Sequence, residues 1–179
     1  MWRTRVGYAG GTRENPTYHS LGDHTEVFQV DFDPGVLPYE DLLQLVWQSH
    51  DPTRAAFKVQ YASLVLAHDD AQLHMARESA ARLAEAVGRP VVTRIEPLTR
   101  FWAAEDYHQK YHLRNDRAVM AEFRAMFGTD EVAFRESTAA MKANAYAAGV
   151  GSCASLETEG ADLGLGEYAL GSLRRSCRA

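Results

Sequence analysis

Cysteine is scarce in this chain: two residues in 179, Cys153 and Cys177, both near the C-terminal end. Two cysteines do not make a disulfide framework, so a reducing cytoplasm is the expected location. A basic surplus is also missing. Nineteen Lys and Arg against 24 Asp and Glu leave a net charge of −5 and a pI near 5.8. Apart from Arg174, Arg175 and Arg178, the cations are scattered, which argues against a nucleic-acid partner. No stretch reaches the roughly 18 apolar residues of a membrane span, and Met1–Arg5 has no apolar leader-like run. Neither GxGxxG nor GxxxxGK[ST] occurs, so Gly7–Gly11 is not a phosphate cradle. HExxH is absent as well. His108 and His112, four apart, therefore read as one polar helix face or a cleft wall rather than a zinc site. The expectation is no metal, no cofactor, no nucleic acid and no membrane.

What is present suits one domain with an appendage. Apolar residues make up 46% of the chain, enough for a real core. Arg3–Gly7 reads as a short strand entering the Gly10-Gly11 turn. Residues 26–32 alternate, with Phe28, Val30 and Phe32 predicted on one buried face. Asp33-Pro34-Gly35 stops that strand. A helix follows from Pro38, with Leu42, Leu45, Val46 and Trp47 as its apolar stripe. Tyr61–Ala67 reads as a strand, Asp69–Gly88 brackets a long helix, and Val91–Ile95 is a further strand. Helices are predicted over about 104–113, 116–127 and 131–148. The glycine-rich remainder reads either as a short helical hairpin or as a loosely held tail. Strands alternating with helices suggest a two-layer α+β domain.

Three places are candidates for chemistry. Glu26 stands at the mouth of a strand, after a loop rich in Gly, His and Tyr and beside Val27 and Phe28. Partial desolvation there would make it a proton donor near neutral pH. With Tyr18 and Tyr61 as phenolic donors it would suit a strongly accepting neutral oxygen. The competing reading is a solvated strand-edge acid with ordinary core-rim tyrosines. Cys153, in Gly149-Val150-Gly151-Ser152-Cys153, reads as a mobile thiol that is either a resolving cysteine or incidental. Gly7–Gly11 reads as glycines that permit positive φ and close backbone approach.

The motifs RVGYAGG, NPTY, GDHTE, VDFDP, HDPT, QYAS and AEDYHQKY follow one another in order. In this the chain resembles the A-type peptide methionine sulfoxide reductases over residues 3–115. The resemblance implies a ferredoxin-like α+β two-layer sandwich over 1–115, followed by a helical extension over 116–179. It implies reduction of methionine sulfoxide, free or in oxidised proteins, as protein repair, with thioredoxin or another thiol as electron donor. Tyr18, Glu26 and Tyr61 match the family's oxygen-holding set, with Glu26 as the catalytic acid. His108 and Tyr111 match residues bordering its substrate cleft, and Cys153 is the candidate resolving thiol.

Two departures accompany the resemblance. The family's GCFWG motif, which carries the nucleophilic cysteine or selenocysteine at the end of a first strand, does not occur. The family's QGND loop, with its supporting aspartate, is replaced by Arg54-Ala55-Ala56-Phe57-Lys58-Val59. The chain as written is thus expected to be an N-terminally incomplete and inactive reductase. The first alternative is a non-catalytic sulfoxide-binding homologue; another is a partner that supplies the missing strand by β-augmentation.

Overall fold

The computed structural model describes residues 2–178. In chain order its elements are β1 (Arg3–Ala9), β2 (Thr25–Asp31), α1 (Tyr39–Gln48), β3 (Leu64–Ala67), α2 (Asp70–Val87), β4 (Arg94–Pro97) and β5 (Trp102–Ala103). Then come α3 (Tyr111–Asn115), α4 (Arg117–Phe127), α5 (Glu131–Glu136), α6 (Thr138–Ala147), α7 (Cys153–Glu159) and α8 (Glu167–Ser176). Short 3₁₀ turns occupy Val59–Tyr61, Asp106–His108 and Gly160–Leu163. This mixed α/β chain divides into two compact units. One is Val6–Ala104; the other is Trp2–Arg5 with Glu105 onward.

The first unit holds two small sheets, ordered β2-β1-β5 and β3-β4. β1 and β5 are antiparallel, with Gly7 opposite Ala103 and Tyr8 opposite Trp102. A Cβ on Gly7 would lie 2.3 Å from the Trp102 carbonyl oxygen and 2.4 Å from the Phe101 ring, so only glycine lets β5 approach. β3 and β4 are parallel, Leu64 opposite Arg94, which requires the crossover that α2 provides. Asp69 caps α2 by accepting from the Gln72 N–H, and Gly88 ends it in the left-handed region. The core between helices and sheet is small: Leu43, Val65 and Ala76, with Tyr39, Val46, Trp47, Met75 and Ile95 packed against it. Trp47 Nε1 donates to Ser79 Oγ at 2.8 Å, satisfying its polar edge.

Several expectations are corrected here. Leu43, not named in the predicted α1 stripe, is its one buried side chain, and Leu45 is exposed. Phe28 was expected on a buried face and is exposed. The strand expected from Tyr61 starts at Leu64, because Val59–Tyr61 turns as 3₁₀. The strand expected at Val91–Ile95 lies at Arg94–Pro97, and the short β5 was not foreseen.

The second unit is helical. Leu113, Phe123, Phe134, Tyr146, Leu156 and Leu173 are among the side chains of its core. The residues after Ala148 form α7, a 3₁₀ turn and α8, and bury Leu156, Leu163, Leu170 and Leu173. The helical alternative for this region therefore holds, and the loose tail does not. The helix expected over 131–148 is broken at Ser137, which ends α5 and caps α6 through its hydroxyl on the Ala140 N–H. Glu136, just before it, accepts two 2.8 Å hydrogen bonds from Arg5 Nε and a further one from Arg5 Nη2. Thr138 Oγ1 donates to the Trp2 carbonyl, so Trp2–Arg5 is anchored to this unit.

Candidate oxygen-binding site

Glu26 is the second residue of β2 and is exposed. The partly desolvated carboxyl expected from the sequence is therefore not found, and its neighbour Phe28 is itself 66% exposed. Gln60 Nε2 donates to Glu26 Oε1 at 2.7 Å. One residue earlier, buried Thr25 donates from Oγ1 to the Val59 carbonyl at 2.8 Å. These two bonds hang the turn Val59–Tyr61 on the start of β2, which brings Tyr61 to the Glu26 end of the strand. Tyr61 is 58% exposed and Tyr18 is 41% exposed, so both phenols are accessible.

Tyr18 sits in the loop between β1 and β2, and that loop is stapled at its base. The Asp23 carboxylate accepts from the Thr12 N–H at 2.9 and 2.8 Å, from Thr12 Oγ1 at 2.9 Å and from the Arg13 N–H at 3.2 Å. The donated backbone bond from Thr12, followed by its hydroxyl, pulls the Asp23 pKa down to about 2. Buried His24 completes the staple. Its Nδ1 accepts from the Gly11 N–H at 3.2 Å, which leaves Nε2–H to donate to the Arg13 carbonyl at 2.7 Å. Gly11 is required for this closure: a Cβ there would lie 2.7 Å from the backbone of Asp23 and His24. Nearer Tyr18, Thr17 and Ser20 exchange backbone hydrogen bonds, and the Tyr18 and His19 rings meet edge to face at 5.3 Å. Asp23 and His24 were not singled out from the sequence; the GDH triplet between a glycine loop and a strand is the signal that points to them.

The structure thus ties the turn holding Tyr61 to the Glu26 end of β2, and the loop bearing Tyr18 is closed by Asp23 and His24 just before that strand. His108 and Tyr111 lie in the second unit. His108 and His112 do not share a helix face, because the helix predicted over 104–113 is interrupted. Asp106–His108 is a 3₁₀ turn, Lys110 takes a left-handed φ of 55°, and α3 starts at Tyr111. Lys110 is buried and donates from Nζ to the Thr4 carbonyl at 2.5 Å, which offsets the unfavourable backbone. Its desolvation lowers its pKa to about 8. The Tyr107 and His108 rings are 4.2 Å apart, and exposed Tyr111 meets His112 edge to face.

Cys153 is not the mobile thiol expected from its glycine context. It is disulfide-bonded to Cys177, 24 residues away, with Cα atoms 5.2 Å apart. Hydrogen bonds from Cys153 N to the Arg178 carbonyl and from Arg178 N to the Gly151 carbonyl, both 2.8 Å, hold the two ends side by side. No group of three or more His, Cys, Asp or Glu side chains able to hold a metal occurs among the described residues. No described helix is long and apolar enough to cross a membrane.

An exposed acid, two accessible phenols and a stapled glycine loop thus lie within the first unit. The family model for peptide methionine sulfoxide reductase matches residues 1–140, and the chain belongs to that family, in its A-type branch. It is 38% identical over 167 residues to a peptide methionine sulfoxide reductase of Drosophila melanogaster, covering 91% of this chain and 65% of the relative. It is 48% identical over 126 residues to peptide methionine sulfoxide reductase MsrA of Methanothermobacter thermautotrophicus, covering 64% and 74%. Among solved structures it is similar to methionine sulfoxide reductase A of Corynebacterium diphtheriae, with a TM-score of 0.56, 32% identity and 63% of each chain covered. Reduced Mxr1 from Saccharomyces cerevisiae is similar with a TM-score of 0.53 and 30% identity, covering 64% of this chain and 71% of that one. The chain therefore spans somewhat under two thirds of the Drosophila relative and of the Corynebacterium structure.

Proposed function

We propose that this chain holds the oxygen of a methionine S-sulfoxide for thiol-dependent reduction, with Glu26 as proton donor and Tyr18 and Tyr61 as supporting donors. His108 and Tyr111 are assigned to substrate binding on the resemblance alone. In the reaction a thiolate attacks the sulfoxide sulfur and the oxygen, protonated by the acid, passes to the attacking sulfur. Methionine leaves and a sulfenic acid remains. A second thiol condenses with it, releasing water and forming a disulfide, which thioredoxin or another dithiol then reduces.

The observation that supports this reading is the Gln60–Glu26 and Thr25–Val59 pair of bonds, which ties the turn holding Tyr61 to the start of β2, where the exposed Glu26 lies. The attacking thiol is assigned to a residue outside this sequence. Both cysteines are bonded to each other, so neither is a thiolate in this state. The Cys153–Cys177 pair fits the resolving, electron-relaying role. We place the first unit as the larger part of a ferredoxin-like two-layer sandwich, and the activity, repair of oxidised proteins, in the cytoplasm. β2 and β3 each end a sheet, which leaves room in that plan for a further strand bearing the thiol.

The same disulfide favours a second reading, a non-catalytic sulfoxide-binding homologue. Titration calorimetry and turnover separate the outcomes. The chain should bind N-acetyl-methionine S-sulfoxide, and Glu26→Gln, Tyr18→Phe or Tyr61→Phe should each weaken binding by roughly tenfold. Equal affinity for reduced N-acetyl-methionine refutes the oxygen-holding site. With dithiothreitol the chain should show no sulfoxide reduction. Turnover that survives Cys153→Ser with Cys177→Ser refutes the requirement for a protein thiol as nucleophile. Restored turnover on adding back a thiol-bearing strand segment favours the enzyme, and none favours the binding homologue.

A further inference from the structure

Two consecutive residues of β2 are fastened to two consecutive residues of the Val59–Tyr61 turn. Thr25, 1% exposed, donates from Oγ1 to the Val59 carbonyl, and Glu26 Oε1 accepts from Gln60 Nε2 at 2.7 Å. The buried threonine thus fixes the backbone just before Gln60. The turn's own bonds restrain it further: Tyr61 N–H donates to the Lys58 carbonyl and Ala62 N–H to the Val59 carbonyl, both at 3.1 Å. Gln60 therefore reaches Glu26 from a held backbone, with only its side-chain rotamer left to choose.

A carboxylate only accepts hydrogen bonds, so the amide must turn its NH2 group towards it. That bond occupies Oε1. Among the described residues Glu26 has no other hydrogen-bond or ion-pair partner. A proton taken up by the carboxyl then resides on Oε2, because Oε1 already receives one. Arg54 and Lys58 lie in the same segment, and neither is paired with Glu26. A cation would hold an acid as its anion, whereas an uncharged amide orients the group and lets it take a proton back.

We propose that Gln60 is a positioning residue: its amide holds Glu26 Oε1, so that Oε2 is the oxygen that delivers the proton to the sulfoxide. Gln60 itself touches no reacting atom. This rests on the oxygen-holding reading of Glu26, Tyr18 and Tyr61. Because Glu26 is exposed, packing does not choose its rotamer, and a proton donor must be oriented before it is useful. The Gln60 bond supplies that orientation.

The test is titration calorimetry of the 179-residue chain with N-acetyl-methionine S-sulfoxide. Gln60→Met keeps the length of the side chain and removes the donor. It should weaken sulfoxide binding about fivefold. In a Glu26→Ala background the same substitution should have no further effect, since Gln60 acts through the carboxyl. In NMR spectra the Gln60 side-chain NH2 signal should move as Glu26 is protonated at acid pH, and should stay in place in Glu26→Ala. Gln60→Met that binds as the wild type does, while Glu26→Ala is impaired, overturns the proposal and leaves the oxygen-holding reading intact. A loss that persists in full in Glu26→Ala also overturns it, because Gln60 then acts on the turn and not on the acid. So does an NH2 signal that ignores Glu26. If Glu26→Ala itself binds the sulfoxide as the wild type does, or the wild type does not bind it, the oxygen-holding reading fails and this inference with it.

Discussion

The Asp23 carboxylate closes the loop bearing Tyr18 by accepting both the backbone N–H and the hydroxyl of Thr12, eleven residues earlier. Neither residue touches Glu26 directly in this network; Asp23 acts by holding the loop base three residues upstream. Replacing it with asparagine keeps the size and removes the charge that strengthens these bonds. Asp23→Asn should lower hydrogen-exchange protection of the Thr12 and Arg13 amides by roughly tenfold. Unchanged protection would show that the loop closes without the carboxylate.

Acid should loosen both units. Asp23 is held at about 2 by Thr12, and Glu136 is held at about 2 by Arg5 and then Arg135. Both folded-state values lie below the ordinary carboxylate values of 3.8 and 4.5. The folded chain therefore binds fewer protons than the unfolded chain between those limits. The stabilisation is complete above about pH 4.5 and drains away as the pH falls towards 2. Chemical denaturation at a series of pH values should show this fall, and Glu136→Gln should flatten it. A profile that Glu136→Gln leaves unaltered would contradict the assignment to the Arg5 pair.

Gly11 tests the geometry of the loop independently of charge. A methyl group there meets the main chain of Asp23 and His24, which has no rotamer to yield. Gly11→Ala should cost about 1–3 kcal/mol and weaken sulfoxide binding, while Gly171→Ala, inside α8 with nothing near its Cβ position, should stabilise by up to about 1 kcal/mol. Equal stability of the two variants would count against the closed loop.

The disulfide ties Gly151–Cys153 to Cys177–Arg178 at the end of α8. Cross-linking a loop of this length restricts the unfolded chain, and its loss costs about 3 kcal/mol. Cys153→Ser should lower the urea midpoint of oxidised protein, and dithiothreitol should lower the wild type to the same value. A midpoint insensitive to both would mean the pair does not form in solution.

Much of the first unit was legible in the sequence because its signals are local. Asp69 and Gly88 delimit α2 through a cap and a left-handed residue, and alternation announces β2. The order of short motifs pointed to the family. What failed were judgements of burial. Alternation assigned Phe28 to a face, but whether packing elements reach that point of the strand is a tertiary matter, and Phe28 is left exposed while Phe32 stacks on Tyr39. The break before Tyr111 was invisible because it depends on Lys110 reaching Thr4, 106 residues away in sequence.

From the amino-acid order by itself follow the family, the chemical types available at the site, and the lack of a GCFWG nucleophile, since each is written in residue identity and spacing. The tertiary structure decided which of those groups meet. It joined Thr25 to Val59 and Glu26 to Gln60 across 34 residues, paired Cys153 with Cys177, and turned Phe57 outward. Those outcomes depend on contacts between distant segments, which no local pattern in a single chain encodes.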